Sequence, residues 1–189
     1  MPKYIFLILC LVLAFAAHAQ TYTLSGQVLT DTDDGVGNVL LEVVDATETV
    51  VATFTTDCSG DFSIADLAGG TNYTLRATKE GSPFNGNSTF DLVVTSRHLL
   101  GIQELPSPYT LAAADVDESG SISVMDMLLM RALILAINDA YPGSNWLFFR
   151  PGDPFASVEF DFVLNADMTN FDLTTIKKGD VNGSANSCE

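Results

Sequence analysis

Basic residues are what this chain has least of. Its 189 residues hold eight Lys and Arg against 24 Asp and Glu, a formal net charge of −16. A surface of that sign repels phosphate backbones and anionic headgroups, which argues against nucleic acid and anionic membrane as partners. It suits divalent cations, which would also relieve the self-repulsion. Histidine is nearly absent: there are two, His18 and His98, and His98 sits on an apolar helical stretch where a lone imidazole reads as structural. No nucleophile–His–acid set appears and no enzyme is expected, although the plentiful paired carboxylates leave a glycosidase open by composition. Long apolar runs are missing too. Tyr4 to Ala16, thirteen residues, is too short and wrongly flanked to span a bilayer, so no membrane insertion is expected.

That run has another use. Lys3 supplies a positive start, and Ala17-His18-Ala19 is a small-x-small cleavage site, so residues 1–19 read as an export signal. The protein is expected to be secreted, extracellular or at the cell surface. From Gln20 onward seven basic and 24 acidic residues remain, a charge of −17. Cys10 lies inside the apolar run and does not read as a lipid-attachment site. Cys58 and Cys188 remain; export permits a disulfide, the spacing does not demand one, and their pairing is left open.

The most informative stretch is Asp115-Val-Asp117-Glu-Ser119-Gly120-Ser121-Ile122-Ser123-Val-Met-Asp126. Oxygen-bearing side chains stand at positions 1, 3, 5 and 12 of a twelve-residue loop. Glycine is at position 6, where the backbone must turn sharply, and position 7, Ser121, offers its carbonyl. Ile122 at position 8 can pin the loop to a core. A hard cation such as Ca²⁺ takes about six to eight oxygens, and this spacing wraps them around one point. The predicted metal ligands are Asp115, Asp117, Ser119, Ser121 and Asp126; the alternative is an acidic surface loop with no ion.

Residues 22 to 79 read as short strands separated by turns: Tyr22–Leu29, Val39–Val44, Val50–Thr56, Asp61–Ile64 and Tyr73–Thr78, with turn clusters at Asp31–Gly35, Asp57–Gly60 and Gly69-Gly70. That spacing predicts a β-sandwich. Leu24-Ser-Gly26-Gln-Val28, Thr56-Asp57-x-x-Gly60-x-Phe62 and Leu67-x-x-Gly70-x-x-Tyr73-x-Leu75 make the segment resemble carboxypeptidase-regulatory-like and collagen-adhesin B-type repeats. The resemblance implies an Ig/prealbumin-like spacer or accessory module without catalytic machinery.

Residues 80 to 140 change character. Phe90–Leu100 and Val124–Ile137 are apolar with helical period, and aligning Asp91 with Asp126 reveals a duplication with a period of 35 residues. Twelve of the fourteen residues in Val124–Ile137 are apolar, which predicts burial against the sandwich or the partner helix. Two loop–helix repeats with Asp as last ligand, and a basic residue at Arg131, make the segment resemble a dockerin, a secreted calcium module with no helix ahead of its loops. The first repeat matches only in part: Asn85-Gly86-Asn87-Ser88-Thr89-Phe90-Asp91 keeps the back of a loop without its front. Asp180-Val-Asn182-Gly-Ser184 has the front without its back. A split site is therefore predicted from Asp180, Asn182, Ser184, Asp91 and the Asn87 carbonyl; the alternatives are a helix cap at Ser88 or Thr89 and a frayed tail. In dockerins the partner is a cohesin-type sandwich that reads loop positions 10 and 11 and the following helix. By that resemblance the partner-binding residues are Thr89, Phe90, Arg97, Val124, Met125 and Arg131. Phe90, Val124 and Met125 depart from the small polar residues often found there, which leaves other extracellular partners open.

The last fifty residues hold a strand-like Trp146-Leu-Phe-Phe149, then Val158–Leu164 and Asn170–Lys178. The order sandwich, helical repeat, aromatic extension resembles a module of large secreted Bacteroidota-type proteins, where it sits among adhesive repeats and a sorting domain often follows. No sorting domain is recognisable, and whether the chain is whole or the front of a longer product is left open.

The expected architecture is mainly β plus α: a signal at 1–19, a sandwich at 20–80 that folds by itself, a dockerin-like calcium pair at 81–140, and an extension at 141–189 packing on that pair. The expected function is a secreted, non-catalytic calcium-binding module for protein assembly, adhesion or surface attachment. The alternative is a carbohydrate-binding accessory of a polysaccharide-degrading or adhesive protein, presenting Tyr22, Phe54 and Tyr73 on one face.

Overall fold

The computed structural model describes residues 20–189; the export signal expected at 1–19 lies outside the described residues. Five strands come first: β1 (Thr21–Thr30), β2 (Val39–Asp45), β3 (Val50–Thr55), β4 (Asp61–Ala68) and β5 (Asn72–Lys79). Three short helices follow: α1 (Thr89–Leu99), α2 (Pro108–Ala114) and α3 (Val124–Ile134). Three more strands end the chain: β6 (Trp146–Phe149), β7 (Glu159–Val163) and β8 (Leu173–Lys177).

The strands make two four-stranded sheets, ordered β4-β1-β8-β6 and β3-β2-β5-β7. All neighbours are antiparallel except β1 and β8, which run parallel through Val28–Leu173 and Thr30–Thr175. Alternation along each strand puts one face inward. Leu24 and Val28 of β1, Phe62 and Ile64 of β4 and Leu173 of β8 meet Leu41 and Val43 of β2 and Leu75 and Ala77 of β5 in one core. On β4 the step from Ile64 to Leu67 opposes the shorter step from Leu24 to Tyr22. The extra residue is absorbed where Asp66 turns to φ 62°, a bulge that returns Leu67 to the core. At the β3–β4 turn Gly60 adopts φ 76°, and a Cβ there would strike the Val28 carbonyl, so only glycine fits.

The boundary expected at residue 80 does not close the sandwich. Three of its eight strands come from the segment expected to pack on the helices. β8 lies between β1 and β6, and β7 closes the edge beside β5. Trp146, Phe148, Phe160 and Phe162 are part of the central core. The reason is burial: these aromatics find the sandwich interior, where β1 and β5 each have an unpaired side to offer. The helical segment is thus an insert between β5 and β6. The extension touches it as well, through Phe149, Ile176 and Val181 against Ala113 and Ala114, and through Tyr141 against Val116, Met130 and Leu133.

The helices also differ from expectation in two ways. α2 precedes the Asp115 loop, started by the N-cap Ser107 with Pro108 in the first turn. And α3 is not buried on most faces. Met130 and Leu133 are fully buried, but Leu128, Leu135 and Ile137 face solvent. α1 and the nearby Val116 and Tyr141 cover one side only. A disulfide joins Cys58, in the β3–β4 turn, to Cys188, with Cα atoms 5.1 Å apart. Among the described residues no helix is long and apolar enough to cross a membrane.

Candidate metal centre

Asp115 ends α2 as its C-cap, and Ser123 begins α3 as its N-cap, so the loop between them is fixed at both ends. Glu118 and Gly120 take left-handed backbone conformations, φ 58° and 84°, and fold the loop back on itself. Val116 is buried with Met130 and Leu133, and Ile122 packs against the cluster of Leu105, Ala113 and Phe149. These two apolar residues hold the loop while its oxygens turn inward. Carboxylate oxygens of Asp115, Asp117 and Asp126 all lie within 4.8 Å of one another. Two ligands at roughly 2.3–2.6 Å from a common Ca²⁺ stand at most about 5 Å apart, so the three fit one ion.

The hydrogen bonds converge on the same point. The amide of Ser119 donates to Asp115 Oδ1 and Asp117 Oδ1, each at 3.0 Å, and Gly120 N–H donates to Asp115 Oδ2 at 2.7 Å. The Ser119 hydroxyl donates to the Ser121 carbonyl at 3.1 Å. Asp126 is fully buried and serves twice. Its Oδ2 takes the Ser123 amide at 2.8 Å, closing the capping box, while its Oδ1 takes the Asp117 amide at 3.2 Å. Burial raises the Asp115 pKa, against the pull of the Gly120 and Ser119 amides, whereas the hydrogen bond from Ser119 lowers that of Asp117. The three acids offer hard oxygens, one set of them fully buried, at a spacing that could hold a divalent cation.

The two half-loops meet. Asp180 Oδ1 accepts the Ser184 amide at 3.0 Å and Oδ2 the Ala185 amide at 2.7 Å, matching the bonds that Asp115 accepts from Ser119 and Gly120. The Ser184 hydroxyl donates to the Gly86 carbonyl at 3.1 Å, as Ser119 does to that of Ser121. Asp91 repeats Asp126: it is fully buried, with Oδ2 on the Ser88 amide at 2.9 Å in a capping box and Oδ1 on the Val181 amide at 3.0 Å. The incoming amide comes from the second residue of this half-loop, where the other loop uses its third. Burial chiefly, and the charge of Asp180 in addition, raises the Asp91 pKa. Asn182 stands at the position equivalent to Asp117 and is exposed.

One position of the first loop differs from the sequence expectation. The carbonyl beside Ser184 belongs to Gly86, not Asn87. Asn87 instead braces the turn, its Nδ2 donating to the Pro83 carbonyl at 2.9 Å and its Oδ1 accepting the Tyr141 hydroxyl at 2.7 Å. The repeat contained the signal, because Gly86 is 35 residues before Ser121. Gly86 has φ 75°, and a Cβ on it would stand 2.8 Å from Asp180 Oδ2. The Lys178 ammonium, itself fully buried, pairs with Glu118 of the Asp115 loop, two residues before Asp180. Burial pushes Lys177 down to about 8, against the opposing charge of Asp180.

Thr89, Phe90, Arg97, Val124, Met125 and Arg131 are all exposed. Phe90 is 59% exposed and Met125, 35 residues later, 53%. Val93 and Leu128, Leu100 and Leu135, and Ile102 and Ile137 form further exposed pairs at the same interval. The aromatics expected to form a glycan platform do not form one. Tyr73 is buried with its ring 5.6 Å from that of Phe162, and Tyr22 and Phe54 pack against the core. His98 Nδ1 accepts the Leu105 amide at 3.2 Å. Neither a protein-family model nor a curated protein matches the chain.

Proposed function

We propose that this chain is a secreted, non-catalytic calcium-binding module that presents a two-helix surface to a protein partner. The observation that carries the reading is the recurrence of one oxygen arrangement at the start of two helices. Asp115, Ser119, the Ser121 carbonyl and Asp126 precede α3; Asp180, Ser184, the Gly86 carbonyl and Asp91 precede α1. Asp117 and Asn182 complete the two sets. In this reading Ca²⁺ fixes both loops and so fixes the exposed pair Phe90 and Met125, with Arg97 and Arg131 nearby, as the surface a cohesin-like or other extracellular sandwich would grip. The dockerin resemblance supports the pairing of loops and helices, although α2 departs from it. The sandwich serves as the body that carries this surface and supplies, through its last strand, the front half of the first loop.

Calorimetric titration of the full chain should show two calcium ions, the three-carboxylate site binding more tightly than the two-carboxylate one. Calcium should raise the melting temperature by mass action, and Asp115→Ala should remove most of that rise. Capture of a cohesin-type or other surface protein should fail with chelator and with Met125→Glu. An intact chain that takes up no calcium would end this reading.

A further inference from the structure

After β8 the chain has no regular secondary structure to hold it, yet its course is closely tied. Gly179 N–H donates to the Ala113 carbonyl at 2.8 Å. Asp180 and Ser184 close on Gly86 and Asp91 as described. Asn186 then exchanges two bonds of 2.9 Å with the Asn85 side chain. Ser187 takes the Gly37 amide at 3.0 Å and gives its hydroxyl to the Gly35 carbonyl at 3.0 Å. One tie is covalent, Cys188 to Cys58, across 130 residues of sequence; beside it Asn38 Nδ2 donates to the Cys188 carbonyl at 3.2 Å and the Lys79 ammonium to the Glu189 carbonyl at 2.7 Å. Cys58 is exposed in its turn, so the bridge is open to solvent reductants.

These ties divide the two loops. Every oxygen of the Asp115 set comes from one continuous stretch, from the C-cap of α2 to the first turn of α3. The Asp91 set needs a strand of chain that arrives from the far end, and the one covalent anchor of that end is a bond that chemistry can open. We propose that the Cys58–Cys188 bridge is a redox latch on the first loop: closed, it holds Asp180 and Ser184 over the start of α1; opened, it lets residues 180–188 leave and leaves the Asp115 loop whole. The inference rests on the calcium reading for its metal readout only. The step is a two-electron exchange with a dithiol. The S–S bond breaks, Cys58 and Cys188 each gain a hydrogen, and the dithiol, having given up two electrons and two protons, closes its own disulfide. Linkage makes the effect mutual, so an ion held by Asp180 and Asp91 protects the bridge, shifting the equilibrium of its reduction towards the disulfide by roughly tenfold at saturating calcium.

The test uses the full chain, oxidised and dithiol-reduced, with calcium as the ligand. Native mass spectrometry should count two ions on the oxidised chain and one after reduction. The Cys58→Ser/Cys188→Ser double variant should also hold one, with an unchanged circular dichroism spectrum. Asp180→Asn should hold one with the bridge intact. Hydrogen exchange in chelator supplies the readout that needs no metal: the Val181, Ser184 and Ala185 amides should exchange roughly tenfold faster or more once the bridge opens, as local opening predicts. No ion on the oxidised chain together with faster exchange after reduction would overturn the calcium reading and support the latch. Two ions in both redox states, or unchanged exchange at those three amides, would overturn the latch itself.

Discussion

Asp91 and Asp126 show how one side chain can do two jobs. Each caps a helix with one oxygen and turns the other to a loop, so the cap holds the acid at the right depth without an ion. The spacing of the Asp115 loop made the convergence of Asp115, Asp117 and Asp126 legible in sequence. The Gly86 carbonyl was not legible in that way, because a backbone oxygen has no residue type. Only the 35-residue alignment with Ser121 points to it. A comparison of two glycines isolates its role. Both Gly86 and Gly120 have positive φ, 75° and 84°, but a Cβ at Gly120 meets nothing within 4 Å while one at Gly86 meets Asp180 and Ala185. Gly120→Ala should cost about 1–2 kcal/mol, the left-handed penalty alone. Gly86→Ala should cost more, and on the proposed calcium reading it should also lower the ion count by one. Denaturant unfolding in chelator gives the first number and ion counting the second; equal costs and an unchanged ion count would mean Asp180 does not sit against Gly86.

At the level of elements, periodicity found the strands β1 to β5 and the helices α1 and α3 but misjudged what α3 would face. A nearly continuous apolar stretch says that burial is favourable; it does not say that a partner exists on every side. α3 has α1, Val116 and Tyr141 on one side, and no other element lies over Leu128 or Met125. α2 is only seven residues long, too short for a helical period to show, although Ser107-Pro108 is a helix start in itself. The two faces of α3 should therefore answer differently to substitution. Leu133→Ala, at 0% exposure, should cost about 2–5 kcal/mol through lost contacts and a cavity. Leu128→Glu, at 54% exposure, should change stability by less than about 0.5 kcal/mol. Chemical denaturation of the two variants settles which face is packed, and a large loss from Leu128→Glu would mean that the face is covered after all.

For the whole molecule, the question is whether the sheets and the helical insert are separate units. Sequence suggested so, because composition shifts sharply at residue 80. Pairing partners 145 residues apart, such as Val28 and Leu173, have no local signature, so the return of the chain into the sheets was hidden. With β8 between β1 and β6, the segment 20–80 alone lacks the neighbour of β1, the edge beside β5, and Trp146 and Phe148 from its core. It should not fold by itself: its proton spectrum should be collapsed and its far-ultraviolet signal unstructured. In the intact chain the insert is tied on all sides. β5 leads into it and β6 out of it, Val181 and Ile176 pack on α2, and Lys178 pairs with the loop before α3. Trp146, 2% exposed with the Lys79 ammonium 5.1 Å from its ring, reports on the sandwich alone, while the 222 nm ellipticity weighs the helices, roughly as far-ultraviolet and near-ultraviolet probes separate secondary from tertiary structure. The two signals should melt together, with chelator lowering both midpoints equally, because an ion bound at the insert stabilises whatever unfolds with it. Loss of the helical signal at a lower temperature, with Trp146 still in its core, would instead make the insert a unit that opens alone.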